Sequence, residues 1–317
     1  MNSHWDLADA KPGRIPAKSL SYNFYDICRV DDQNFWVCGK SGLLYRTQDA
    51  GLTWERMRIG ADQSLFGVVF LSETRGIIVG QEGLVMATDD AGKTWEKVNT
   101  PADQALLTLD FYDDRHGMAA GDWGKIIATN DGGKTWRNVS LEEDILLYCI
   151  KLTGPEEAWM ATEMGRIYHT TDGGKTWDKQ ALAYGTLTAI DFDNCGNGVA
   201  VGIEGLVLRT TDGGKTWESS TITKESLYNI RFNDRIALIV GDAGTIFYQV
   251  PEPKKECPIG GVWIGDNWKP IKVPVELRAN WLQCIELKGP QQFIIGGARG
   301  SISYVHGTTL IWPGAGE

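Results

Sequence analysis

One eight-residue box constrains this chain more than any other feature. It occurs five times, as Thr47–Trp54, Thr88–Trp95, Thr129–Trp136, Thr170–Trp177 and Thr210–Trp217. The pattern is Thr-x-Asp-(Gly or Ala)-Gly-x-Thr-Trp, and its tryptophans recur at intervals of 41, 41, 41 and 40 residues. A unit repeated at this period cannot bury its apolar faces alone and must pack on its own copies.

Each box is preceded by a second recurring element, Gly-x-x-x-x-Thr, with its glycine at Gly42, Gly83, Gly124, Gly165 and Gly205. Copies without a box follow at Gly244 and Gly300. Before that glycine runs a short apolar strand, such as Gly76–Gly80 or Gly198–Gly202. Earlier still comes the pattern Leu-x-x-Ile-x-Phe, over residues 65–70, 106–111, 147–152, 187–192, 227–232 and 282–287, with a weaker copy over 25–30. That makes seven copies of four short strands separated by Gly/Asp turns, and no window has a helical period.

The expectation is an all-β, seven-bladed β-propeller with four antiparallel strands per blade and Asp-box turns in blades one to five. The expected blades are about 22–60, 64–100, 105–140, 146–181, 186–221, 226–274 and 281–317 of a single domain, 1–317. Residues 1–21 offer a ring-closing strand around Trp5–Leu7, and Thr308–Trp312 competes for the same place. Blade six replaces its box with a Pro-rich insertion over 249–261, read either as a contact site or as a tolerated loop.

The boxes are read as structural. A carboxylate in a tight turn accepts hydrogen bonds from turn amides, glycine supplies positive φ, and the tryptophan packs into the blade. This assigns Asp49, Asp90, Asp131, Asp172 and Asp212, with Trp54, Trp95, Trp136, Trp177 and Trp217, to stability. Four boxes contain Gly-Lys-Thr, but a phosphate-binding loop also needs a glycine five residues earlier. Ala87, Ala128, His169 and Arg209 stand there instead.

The formal net charge of −10 argues against nucleic acid, which is bound through clustered Lys and Arg. The longest aliphatic run, Ile236–Val240, is too short to span a membrane. The N-terminus lacks the apolar core of a signal peptide, so a cytoplasmic or particle-associated chain is expected, exported only if a leader has been trimmed. Cysteines at 28, 38, 149, 195, 257 and 284 form no CxxC pair and are read as small core filler in a reducing compartment. The four histidines are scattered, so no metal and no cofactor is expected.

The boxes, joined to Gly-x-x-Val-Gly-x-x-Gly, resemble those of the photosystem II assembly (stability) factor family of BNR/Asp-box propellers, over nearly the whole chain. That resemblance implies a seven-bladed propeller without enzymatic activity that docks a client protein through a basic patch. The balance of this chain is acidic instead. Asp boxes also occur in sialidases, and Gly13-Arg14-Ile15-Pro16 resembles the motif before their first box. A carbohydrate-active hydrolase or glycan-binding propeller is therefore the alternative, with Arg14, Arg231, Arg278 and Arg299 as the available guanidiniums and Tyr304 as the phenol. Sialidase propellers are six-bladed with longer, irregular blades.

The turns between second and third strands line one mouth of a propeller, away from the boxes. Five of them carry an acid: Glu82, Asp122, Glu163, Glu204 and Asp242. Trp123 and Met164 lie beside these acids, and Lys40 and Arg299 occupy the adjoining blades. An acidic arc with an aromatic anchor suits a protein partner with a basic segment, and a solvated rim is the plainer reading. The fifth position of the inner-strand pattern holds Arg29, Val69, Asp110, Lys151, Asp191, Arg231 and Glu286. Its alternating signs predict ion pairs between blades. The function expected is a non-enzymatic, protein-binding scaffold or assembly factor, or a structural part of a larger particle such as a phage tail.

Overall fold

The computed structural model describes residues 23–181, 184–233, 236–250, 252–254, 257–262, 267–271, 281–289, 292–298 and 302–306. Among them are six four-stranded antiparallel sheets, each a meander running outward from a central channel. Blade one is Phe24–Arg29, Phe35–Gly39, Leu43–Thr47 and Glu55–Met57. Blades two to five repeat it from inner strands Leu65–Phe70, Leu106–Phe111, Leu147–Leu152 and Leu187–Phe192. Blade six comprises Leu227–Asn233, Ile236–Gly241, Ile246–Gln249 and Lys269–Pro270.

Both faces of a blade pack on neighbours, so its second strand cannot alternate apolar with polar residues. Gly76–Gly80 and Ile236–Gly241 are apolar or glycine throughout and buried at every position. The tryptophan of each box then reaches the preceding sheet. Trp95 of blade two packs edge-on against Trp36 of blade one, with centroids 6.1 Å apart, and Trp217 of blade five does the same to Trp159 of blade four at 6.2 Å.

All five boxes fold as expected. In blade two, Thr88 Oγ1 donates to Asp90 Oδ1 (2.8 Å) and accepts the Gly92 N–H (2.9 Å). Asp90 also accepts the Thr94 N–H (2.9 Å) and hydroxyl (2.7 Å). These bonds, from Thr94 first, hold the Asp90 pKa down to about 2. Asp172 and Asp212 are held equally low.

Three expectations are corrected. Among the described residues six blades are four-stranded, not seven. The last copy of the repeat is a three-stranded sheet, Leu282–Gly289, Gln292–Gly297 and Ile302–His306, which packs on blade six through Leu282 and Ile285 and on blade one through Cys284, Ile294 and Ile302. Trp5–Leu7 and Thr308–Trp312 lie outside the described residues. The inner strand of blade one is displaced by one residue, because Phe24, not Tyr25, pairs with Gly39 as Leu65 pairs with Gly80.

The outer strand of blade six follows the insertion, within the expected bounds of that blade. Tyr248 pairs with Lys269, so Trp268 takes the place of a box tryptophan and joins the buried cluster that holds Val199 and Val201 of blade five. Within the insertion, Glu252–Lys254 and Cys257–Val262 form a separate two-stranded hairpin. Finally, Cys28, Cys38, Cys149 and Cys284 are free, but Cys195 is disulfide-bonded. It sits on the Asp193–Asn197 turn, where a thiol has no core to fill.

Candidate functional site

The turns at the mouth are built alike. In blade two, Gln81–Gly83 is a single tight turn in which the Gln81 N–H bonds the Ser64 carbonyl (2.9 Å) and the Leu84 N–H bonds the Gln81 carbonyl (3.2 Å). Blade three repeats this through Asp122 to Ala105 (3.0 Å), and blade six through Asp242 to Ser226 (2.8 Å). Gly80, just before the turn, lies under its own inner strand, where an added Cβ would collide with the Ser64 carbonyl. These bonds drive the middle residue of each turn outward with positive φ: Ser41, Glu82, Trp123, Met164, Glu204 and Ala243, at 52–60°. An L-residue there costs about 1–2 kcal/mol relative to glycine. Retaining Trp and Met at such positions, 66% and 59% exposed, gives the mouth apolar projections that stability does not require.

The five acids of the arc therefore fall into two sets. Glu82 and Glu204 take the middle position and point into solvent. Asp122, Glu163 and Asp242 take the first position and are half-buried at the channel rim. Asp242 accepts the Tyr228 hydroxyl (2.9 Å), and Glu163 accepts the Leu146 N–H (3.2 Å). Burial pushes Tyr228 up to about 12, helped by that bond. Burial, then Glu163 and Asp122, push Tyr148 up as well. Lys40 is exposed on blade one. Arg299 lies outside the described residues.

Inside this rim is a cavity of about 450 Å³ whose upper wall is a collar of inner-strand residues. The second residue of each inner strand supplies it: Tyr25, Phe66, Leu107, Tyr148, Thr188, Tyr228 and Gln283. Tyr25 and Phe66 touch across a blade boundary with centroids 5.3 Å apart, and Tyr228 meets Trp281 at 6.5 Å. Six large apolar side chains are exposed among the described residues. Trp123, Met164, Tyr184 and Trp281 belong to this mouth, through its turns or the residues just before inner strands. The collar was missed in the sequence because its residues occupy an unspecified position of the inner-strand pattern, except Tyr25, which the misread register of blade one put at the first position. The recurrence of Phe66, Tyr148 and Tyr228 at that position was the available signal.

Deeper in the channel, the alternating charges form a partial ring. Lys151 reaches Asp191 at 3.3 Å and Asp110 at 3.7 Å, and these carboxylates push its pKa up, Asp110 first. Arg29 acts on Glu286 of the last sheet by its charge alone, without a direct ion pair to it among the described residues. It pairs with Asp32 (2.6 Å), and the one-residue shift puts Cys28 at the fifth position. Asp26, two residues nearer the mouth, is the charge that blade one contributes. Burial opposes the Arg231 charge, but Asp191 and then Asp26 outweigh it and raise its pKa.

Of the groups considered for carbohydrate chemistry, Arg231 lies in this channel. Arg14, Arg278 and Arg299 lie outside the described residues, as does the side chain of Tyr304. Among the described residues there is no group of three or more His, Cys, Asp or Glu placed to hold a metal. No helix among them is long and apolar enough to cross a membrane.

The sequence profile of the photosynthesis system II assembly factor YCF48 matches residues 4–89 and 87–184, together more than half of the chain. The chloroplastic photosystem II stability/assembly factor HCF136 of Cyanidioschyzon merolae is 30% identical over 79 residues. That alignment covers 24% of this chain and only 16% of the relative. Among solved structures, YCF48 bound to D1 peptide superposes with a TM-score of 0.73 at 18% identity, covering 96% of each chain. YCF48 from Cyanidioschyzon merolae gives 0.71 at 16% identity, covering 96% of this chain and 99% of that one. The WD40 β-propeller domain of Doa1 gives 0.73 at 13% identity, covering 98% of each. At these identities the superpositions show the propeller fold alone. By the profile match over its first half, the chain belongs to the family of the photosystem II assembly factor YCF48.

Proposed function

We propose that this chain is a non-enzymatic assembly factor that holds a segment of a protein partner at its turn-lined mouth. The observation that carries the reading is the mouth itself. It combines a 450 Å³ cavity with an aromatic collar and turns that carry exposed Trp123 and Met164 at positive φ. Exposed apolar side chains around a concave, rigid site are how proteins anchor partners. Family membership supports an assembly role, and a fold relative holds a peptide. In the same reading the three-stranded sheet between blades six and one is the seventh blade of the ring.

Affinity capture from native extract tests this, comparing the wild-type chain with a W123A/M164A variant. Protein partners held by the wild type and lost by the variant are the expected result. An identical set of captured proteins would contradict the reading.

A further inference from the structure

We propose that the segment held at the mouth is cationic and aromatic: Lys or Arg side chains flanking a bulky apolar one, which enters the cavity while the cations lie on the rim. This inference rests on the mouth being a protein-docking site and specifies its occupant.

Shape and polarity fix the central residue. The upper wall offers Tyr25, Phe66, Leu107, Tyr148 and Ile203, and the cavity is large enough for an aromatic side chain. The base is different, because Arg231 lies there, its charge already balanced chiefly by Asp191 and Asp26. Asp26 and Asp110 line the cavity too, but they are already engaged by backbone N–H groups and by Arg231 and Lys151, so a cation gains little there, whereas an apolar group packs on the aromatic wall.

The rim fixes the flanking residues. Asp122, Glu163 and Asp242 are half-buried there. A carboxylate offers about four lone-pair sites. Glu163 gives one to the Leu146 N–H and Asp242 one to the Tyr228 hydroxyl, so each retains capacity for ammonium or guanidinium donors. The cations that follow the turns do not offset these acids, since Lys125 pairs with Asp103 (3.7 Å) and Arg166 with Glu143. Exposed Trp123, beside Asp122, adds an indole face suited to a cation. An acidic segment would meet the same rim with like charge.

Two fluorescein-labelled nonapeptides test this: Gly-Ser-Lys-Phe-Lys-Phe-Lys-Ser-Gly, and its match with Glu in place of each Lys. Fluorescence anisotropy with the purified chain should show the Lys peptide binding at least about tenfold more tightly, an advantage that shrinks as salt rises. The isosteric D122N/E163Q/D242N variant should lose roughly that tenfold preference, and W123G should weaken the Lys peptide. Equal or tighter binding of the Glu peptide, with loss in W123G, overturns the cationic occupant and leaves protein docking in place. A Lys peptide indifferent to the triple variant also overturns it. Binding of both peptides untouched by W123G would overturn the docking site as well.

Discussion

Asp191 of blade five accepts the backbone N–H of Phe232 in blade six at 2.8 Å. Asp110 does the same for Leu152 (2.8 Å), Asp26 for Val68 (2.9 Å), and the Cys28 sulfur for Phe70 (3.3 Å). The inner strand is the edge of each sheet, and an edge leaves N–H groups unpaired. Side chains of the preceding blade satisfy them, so the charges lining the channel fix how blades dock as well as balancing one another.

Replacing Asp191 should therefore be costly. The side chain is buried, and its loss leaves the Phe232 N–H without its acceptor and Lys151 without its nearer carboxylate. D191A is expected to cost about 2–4 kcal/mol, and D191N, which keeps an acceptor, distinctly less. Urea unfolding of the two variants checks the order.

Two channel carboxyls run against the usual acid dependence. Burial, opposed chiefly by Arg231, lifts Asp26 to about 6 and Glu286 to about 7. Between their ordinary values of 3.8 and 4.5 and these raised ones, the folded chain holds protons that the unfolded chain has released. Their contribution to stability therefore falls as pH rises through that window. The box aspartates act oppositely. With Asp90, Asp172 and Asp212 held near 2, their contribution is lost as pH falls from 3.8 toward 2. D26N should flatten the decline toward neutral pH, read from urea midpoints across the range. A wild-type stability that climbs steadily to neutral pH would contradict this.

Two adjacent glycines separate strain from packing. Gly213 and Gly214 both have positive φ, 72° and 79°. An added Cβ at Gly213 meets open space, whereas at Gly214 it runs into the Trp159 ring. G213A should cost about 1 kcal/mol, and G214A about 3 kcal/mol or more because blade four must also give way. Thermal unfolding of the pair distinguishes them.

Much of this architecture was legible in the residues. Five boxes and their glycines located blades one to five, because a turn that needs positive φ and a buried indole tolerates few sequences. The register of blade one was misread because Tyr25–Val30 also carries apolar residues at the right spacing. Only the pairing of Phe24 with Gly39 decides it. The acidic turns were visible in order, but their split into outward and inward sets depends on backbone φ, which residue type does not reveal. The disulfide at Cys195 had no local signal, since nothing in Asn194-Cys195-Gly196 distinguishes it.

Trp123 should trade stability for function. At φ 58° its backbone favours glycine, so W123G is expected to stabilise the chain by up to about 1 kcal/mol. The same variant should bind a partner less well. A stabilised chain with undiminished partner binding would mean that the strained tryptophan has no role at the mouth.

The most direct test places a photo-crosslinking benzophenone at Met164 on the mouth or at Leu52, which is 67% exposed in the blade-one box turn on the opposite face. After irradiation in native extract, the account predicts discrete protein adducts from Met164 and none, or only diffuse background, from Leu52. Adducts formed from Leu52 and not from Met164 would contradict docking at the mouth.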